Sequence, residues 1–511
     1  MRAAKKRPEN KREKIVQAIW LLLACVVFTV AMALYAACTY IEGHFDISIV
    51  ELLYTIAAPM KGANMDVVSD CIRESHFELG AIYFFLWSAI CVGYIGWRYR
   101  VLLSIWVFHW GCKVEVMKLM RRAMALVSVG AVIISGVYGG RVLGVGDYIK
   151  IRKAATTLYE DYYIDPKTAK IEAPDKRKNL ICIYLESMET TYANEPMGNC
   201  IPGLTALAKE NVSFSNSEGL GGFRPMLGTN WTMAALFSTT AGIPFSFPIE
   251  WDSMNKREKF ASGVTTLGDI LEKWNYKSAF LCGSDGNYAG RKDYFMQHGN
   301  YDVFDYYTTR DEGYIPEDYY VWWGFEDMYL YQVAKDKITE LSQGDQPFNF
   351  TMLTVDTHYT EGYICGLCQD QYEIPAANVV ACADRQVTEF VEWCKQQDFY
   401  EDTVIVIVGD HPRMDNFLVE DDEYYYDRTV YNCFLNCDNV AGKPRTQNRE
   451  YTSMDIFPTT LSALGFKIEG ERLGLGTNLF SNVDTLTEEL GFEQLNTEVQ
   501  KYSPYYIKNF A

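Results

Sequence analysis

Residues 15–40, IVQAIWLLLACVVFTVAMALYAACTY, carry no charged side chain over 26 positions. A helix of that length is about 39 Å long, enough to cross the roughly 30 Å hydrocarbon core of a bilayer. The run exceeds the apolar segment of a signal peptide and lacks an obvious small-residue cleavage site. Two further spans read as FELGAIYFFLWSAICVGYIGW (77–97) and AMALVSVGAVIISGVYGG (123–140). Weaker apolar runs at 47–59 and 101–110 either lie in the interface or raise the count from three spans to five. Both counts are odd, so the remainder of the chain faces one side in either case.

Charge predicts which side. Basic clusters precede the first span (RAAKKRPENKREK) and the last (KVEVMKLMRR, 113–122), and the positive-inside rule puts both in the cytoplasm. Everything beyond about residue 141 is then extracytoplasmic. Residues 1–150 hold 17 basic and 11 acidic side chains, leaving 30 against 55 in the remainder of a chain of net charge -19. So acidic a body is not a nucleic-acid binder. The expected organisation is a multi-pass transmembrane domain over 1–145, a polar juxtamembrane connector over 146–178 and a globular domain over 179–511.

Four apolar runs of strand type punctuate that domain: NLICIYLES (179–187), KSAFLCGSD (277–285), FNFTMLTVDTH (348–358) and TVIVIVGDH (403–411). Helix-like segments at 202–211, 266–274 and 378–397 alternate with them. Continuous apolar strands separated by helices predict an α/β/α sandwich around a mostly parallel sheet. The runs end at Glu186, at Asp285, at Asp356 and His358, and at Asp410 and His411. Ligands of open α/β sheets bind beyond the carboxyl ends of the strands. A single strand-end Asp is more often a turn residue, but four such ends, two carrying His, point to one cleft.

Glu186, Asp410 and His411 make a hard donor set for one divalent metal, Mn²⁺, Mg²⁺ or Zn²⁺. The segment LGTNWTMAALF (227–237) enters a short helix and offers Thr229 and Thr232. A neutral threonine hydroxyl is a weak nucleophile unless a metal activates it. Thr229 is taken as the nucleophile and as a further metal ligand, with Thr232 the runner-up. A helix N-terminus behind it offers backbone N–H groups to a phosphate.

The domain resembles the alkaline-phosphatase superfamily over roughly 178–482, specifically its membrane-bound phosphoglycerol transferases, lipoteichoic acid synthases and glucan-modifying enzymes among them. The resemblance rests on YLESME (Glu186), GTNWT (Thr229 and Thr232), NYAGRKDYFMQHGNYDVFD (287–305), TVDTHY (His358), VGDH (Asp410, His411) and YTSMDIFPTTLSALG (451–465), in that order. It implies an alkaline-phosphatase-like fold and a nucleophile that takes glycerophosphate from phosphatidylglycerol in the outer leaflet of the cell membrane. Diacylglycerol is released and the group passes to a hydroxyl of an envelope polymer or glycan. His358 and Arg291 would contact phosphate or glycerol, and Tyr288 and Asp285 the head group. A sulfatase shares the fold but requires Cys or Ser at the nucleophile, with Pro and Arg at the positions held here by Trp231 and Met233. A phosphoethanolamine transferase and a catalytically silent membrane-anchored binding protein stay open. For CGLC (365–368) an oxidising compartment favours a disulfide over zinc, with Cys382 as third participant.

Overall fold

The computed structural model describes residues 11–44, 49, 52–53, 72–73, 82, 116–193, 198–246, 260–359, 361–414, 428–437 and 444–510. The chain divides into two compact units, Met1–Ser48 with Met65–Gly146, and Ile49–Asn64 with Asp147–Ala511.

In the first unit the apolar run at 15–40 lies within a helix over Lys11–His44, and the run at 123–140 within a helix over Val116–Val142. Both are long and apolar enough to cross a membrane. Leu126 and Val137 are 72% and 70% exposed, as side chains facing lipid would be. The two helices run parallel: Ser128 Oγ donates to Ala24 O (2.9 Å) and, one heptad on, Ser135 Oγ donates to Ala31 O (2.7 Å). Small residues permit this close approach. A Cβ at Gly139 would stand 2.9 Å from Cys38 Sγ. The span expected at 77–97 and the weaker runs at 47–59 and 101–110 lie almost wholly outside the described residues.

The second unit is built on a six-stranded sheet. Its strands are β1 (Asn179–Leu185), β2 (Lys277–Cys282), β3 (Asp302–Phe304), β4 (Phe348–Leu353), β5 (Thr403–Gly409) and β6 (Asn432–Leu435). The order is β3-β2-β4-β1-β5-β6, parallel except for the antiparallel edge strand β6. The four apolar runs are the four central strands. Their alternation explains why they read as unbroken apolar sequence: Leu180, Cys182 and Tyr184 enter one core cluster, while Ile181, Ile183 and Leu185 enter the other. Val404, Val406 and Val408 of β5 likewise oppose Ile405 and Ile407. With both faces buried, the strands are mostly apolar, and the polar residues they carry, such as Asn349 and Thr351, are buried with them.

Helices Thr232–Ala241 and Ile456–Ala463 cover the first face, and Pro202–Glu210, Asp327–Ser342 and Pro375–Lys395 the second. The edge strands β3 and β6 were not anticipated; at three and four residues they are too short for a periodic signal. The stretch expected as a connector is partly built into the core, where Leu158 and Tyr159 are buried. Every described cysteine is a free thiol.

Candidate functional site

The register of three parallel strands assembles the centre. Leu185 of β1 pairs with Gly409 of β5, so the next residues, Glu186 and Asp410, leave the sheet side by side. On the other flank Tyr184 pairs with Leu353 of β4, and the following Thr354 hydroxyl accepts the Glu186 N–H at 2.9 Å. Ser187 takes a left-handed backbone (φ 52°), a strained conformation for a residue with a Cβ. That conformation lets its N–H donate to Asp410 Oδ1 (2.7 Å) and its hydroxyl to Glu186 Oε1 (2.7 Å). Gly409 is required by contact, because a Cβ there would stand 2.0 Å from Met188 O.

Glu186, Asp410 and His411 present ligand atoms within 4.8 Å of one another, all three buried. His411 Nε2 lies 3.5 Å from Glu186 Oε1 and 3.4 Å from Asp410 Oδ2. Its Nδ1 faces Pro412 O at 2.7 Å, which assigns the proton to Nδ1 and leaves the Nε2 lone pair toward the carboxylates. Asp410 Oδ2 is buried without a hydrogen-bond partner. Burial, then the Glu186 charge, push the Asp410 carboxyl up to about 7. Burial also raises Glu186, but His358, His411 and the Ser187 hydroxyl outweigh it and hold that carboxyl below its ordinary range. Two crowded carboxyls, an orphaned oxygen and an oriented imidazole fit one divalent cation.

Thr229, the expected nucleophile, lies in the turn that precedes the helix. Thr229 N–H donates to Met226 O (2.9 Å) and closes a turn in which Gly228 has φ 82°. The Thr229 hydroxyl donates to Met226 O (2.9 Å) and accepts from Met226 N–H (3.2 Å). It fastens the turn and is absent from the wall of the cavity. Thr232 is the residue that reaches the cluster, with Oγ1 3.3 Å from Glu186 Oε2 and 3.3 Å from His411 Nε2. It is the first residue of helix Thr232–Ala241. The opening N–H groups of such a helix have no carbonyl partner within it and are suited to an anion.

The adjoining cavity is lined by Glu186, Thr232, Ser284, Tyr288, Arg291, Trp323, Thr354 and His358, among others. Arg291 is only 6% exposed. Its Nη2 donates to Ser284 Oγ (2.9 Å) and Asp285 O (3.1 Å), and its Nε to Tyr288 O (3.1 Å). These contacts leave Nη1 for a ligand, and among the described residues no carboxylate pairs with Arg291. Asp285 is not in the wall. Its Oδ1 accepts from Asn287 N and Nδ2 (both 2.9 Å) and shapes the turn that presents Tyr288 and Arg291.

His358 Nδ1 faces Tyr359 O at 2.8 Å, leaving Nε2 as its other polar atom. Burial lowers its pKa, against the opposing pull of Glu186, so the ring is neutral at neutral pH. Trp323, which the sequence did not single out, packs 4.7 Å from the His358 ring and 5.4 Å from Tyr288. Its indole N–H is buried without a hydrogen-bond partner. Asp356 turns elsewhere and accepts the Asp327 N–H at 3.1 Å.

The sulfatase family profile matches residues 178–466. Phosphoglycerol transferase I of Xanthomonas axonopodis pv. citri (strain 306) is 30% identical over 311 residues, 57% of this chain and 42% of that protein. Phosphoglycerol transferase I of Escherichia coli O127:H6 is 30% identical over 331 residues, 63% of this chain and 41% of that protein. The chain thus spans about two fifths of the length of these curated relatives. Among solved structures, an alkaline phosphatase superfamily protein from Vibrio parahaemolyticus is similar with a TM-score of 0.48 and 21% identity, over 64% of this chain and 76% of its own.

Proposed function

The chain belongs to the sulfatase family, and from that premise we propose that it is a membrane-anchored phosphoglycerol transferase whose nucleophile is Thr232. The observation that carries this reading is Arg291, a buried guanidinium without a carboxylate partner among the described residues, in the same cavity wall as Thr232 and Glu186. A buried unpaired cation calls for an anion, and a planar guanidinium suits a phosphate. The named relatives agree with a glycerophosphate as the group transferred. A formylglycine-type sulfatase is disfavoured because Thr232 is neither Cys nor Ser.

Thr232 Oγ1 attacks the phosphorus of phosphatidylglycerol. An Oγ1–P bond forms as the P–O bond to diacylglycerol breaks. The threonine proton has Glu186 Oε2 at 3.3 Å as its acceptor, and the departing diacylglycerol oxygen takes a proton from water. A hydroxyl of an envelope glycan or polymer then attacks the same phosphorus and the Oγ1–P bond breaks; Thr232 Oγ1 regains its proton from Glu186, and the acceptor's proton goes to the hydroxide left by that water. Arg291, the Trp323 N–H and the helix N-terminus hold the phosphoryl oxygens, and neutral His358 Nε2 accepts a hydrogen bond from a glycerol hydroxyl. Glu186, Asp410, His411 and Thr232 would hold one divalent ion, Mn²⁺ by preference of the hard donor set, which when bound lowers the pKa of the hydroxyl and offsets phosphate charge.

Membrane anchoring follows from the two apolar helices. Their parallel course supports an odd number of crossings between them, as a span at 77–97 would supply, and the basic flanks favour a catalytic domain, 179–511, on the outer side. The test is the intact mass of the full chain in detergent after exposure to phosphatidylglycerol or phosphatidylethanolamine. A glycerophosphate adduct on Thr232 from the first lipid supports the proposal. An adduct from the second lipid alone would reassign the chain to phosphoethanolamine transfer.

A further inference from the structure

Cys365 and Cys368 lie in a loop, and Cys382 lies on helix Pro375–Lys395. The Cys365 sulfur is 3.8 Å from Cys368 Sγ and 3.8 Å from Cys382 Sγ. The three sulfurs form a single group, with Cys365 and Cys382 buried and Cys368 half-buried. From this geometry we infer a second metal site: Cys365, Cys368 and Cys382 bind one zinc ion as a trio of thiolates, separate from the carboxylate and imidazole centre.

Distance is the first argument. Zn–S bonds of about 2.3 Å at tetrahedral angles put neighbouring sulfurs roughly 3.8 Å apart, which is the spacing of Cys365 from each of the other two, and all three lie within 4.8 Å of one another. A disulfide needs about 2.05 Å. It would also have to choose one of two equidistant partners for Cys365 and leave the third thiol beside the bond. A soft ion accommodates all three.

The scaffold is the second argument, because the loop is already fastened in the form that gathers the sulfurs. Cys368 N–H donates to Cys365 O (3.1 Å), closing the turn between the first two ligands. Arg385 Nη2 donates to Leu367 O (3.2 Å), and Gln386 Nε2 to Cys382 Sγ (3.4 Å). Asn378 Oδ1 accepts the N–H groups of Gln371 (2.7 Å) and Tyr372 (2.8 Å). Tyr363 N–H donates to Asp356 O (2.7 Å) at the other end of the loop. The ion fastens the segment that leaves the cavity at His358 onto the helix carrying Cys382. Among the described residues no fourth Cys, His or carboxylate joins the group, so water completes the tetrahedron beside Cys368. The zinc site takes the place of the disulfide expected for these residues.

The experiment uses the full chain, purified in detergent from cells grown with zinc. Its zinc content and the zinc released by a thiol-blocking mercurial are measured before any variant is made. One equivalent released by the mercurial, and a sulfur-to-cobalt charge-transfer band in the near ultraviolet after cobalt exchange, are expected. Cys365→Ser and Cys382→Ser should lose that equivalent, whereas Asp410→Asn should keep it, which separates this site from the one proposed for catalysis. Wild-type protein without mercurial-releasable zinc, or with an unreduced mass two hydrogens short and Cys365 cross-linked, would overturn the inference.

Discussion

Thr232 Oγ1 lies 3.3 Å from His411 Nε2, whereas the hydroxyl of Thr229, three residues earlier, is engaged by both backbone groups of Met226. On the proposed mechanism, Thr232→Ala is expected to lower turnover by at least about 1,000-fold, because it removes the hydroxyl assigned to the phosphorus. Thr229→Ala should leave turnover within a few-fold and cost about 1 kcal/mol of stability from the loosened turn. Steady-state rates and thermal melts of both variants check this, and a Thr229 variant as inactive as the Thr232 variant would return the role to Thr229.

Removal of the divalent ion by a chelator should abolish transfer, and adding back one divalent metal should restore it. Glu186→Gln, Asp410→Asn and His411→Ala should each weaken metal binding by more than about 100-fold, beyond the cost of losing an outer partner. Calorimetric titration of the metal-free chain reads this directly. Full metal occupancy in all three variants would contradict the site.

Arg291→Ala should raise the KM for the lipid by about 10- to 100-fold, the equivalent of lost charge-assisted hydrogen bonds. Arg291→Lys should not rescue it, because an ammonium cannot keep the contacts to Ser284 and Tyr288 while holding a phosphate. KM measured with phosphatidylglycerol in mixed micelles decides between full rescue and none.

Asp455 supplies a pH dependence of stability. It is fully buried, with Oδ1 accepting Thr477 N–H (2.7 Å) and Oδ2 accepting Thr452 N–H (2.9 Å). Burial pushes its carboxyl up to about 7 against those hydrogen bonds, compared with about 3.9 in an unfolded chain. The folded state thus holds a proton that the unfolded state releases. The contribution is fully present below about pH 4 and is lost as pH rises through about 7, a change of a few kcal/mol. Asp455→Asn should flatten that part of the stability curve, measured by denaturant unfolding from pH 4.5 to 8. An unchanged slope would contradict it.

Elements whose cause is local were legible in the sequence. The central strands show as apolar runs because both sheet faces are buried, and hydropathy alone marks the helices at 15–40 and 123–140. Glu186, Asp410 and His411 were legible because the chain must leave a parallel strand at its carboxyl end, where neighbouring strands deliver their next residues together. The choice between Thr229 and Thr232 was not. Both precede a helix, and only the turn at Gly228 and the register of β1 with β5 decide which hydroxyl meets the acids. Gly228 before Thr229 was the one signal that could have shown it. Trp323, the Ser187 brace and the aim of Arg291 also depend on contacts between distant segments. Apolar periodicity records how each segment is buried, but the direction of a side chain is set by what packs against it. The strands and the acids at their ends therefore belong to the sequence itself, while the hydroxyl that stands beside those acids was decided by the tertiary structure.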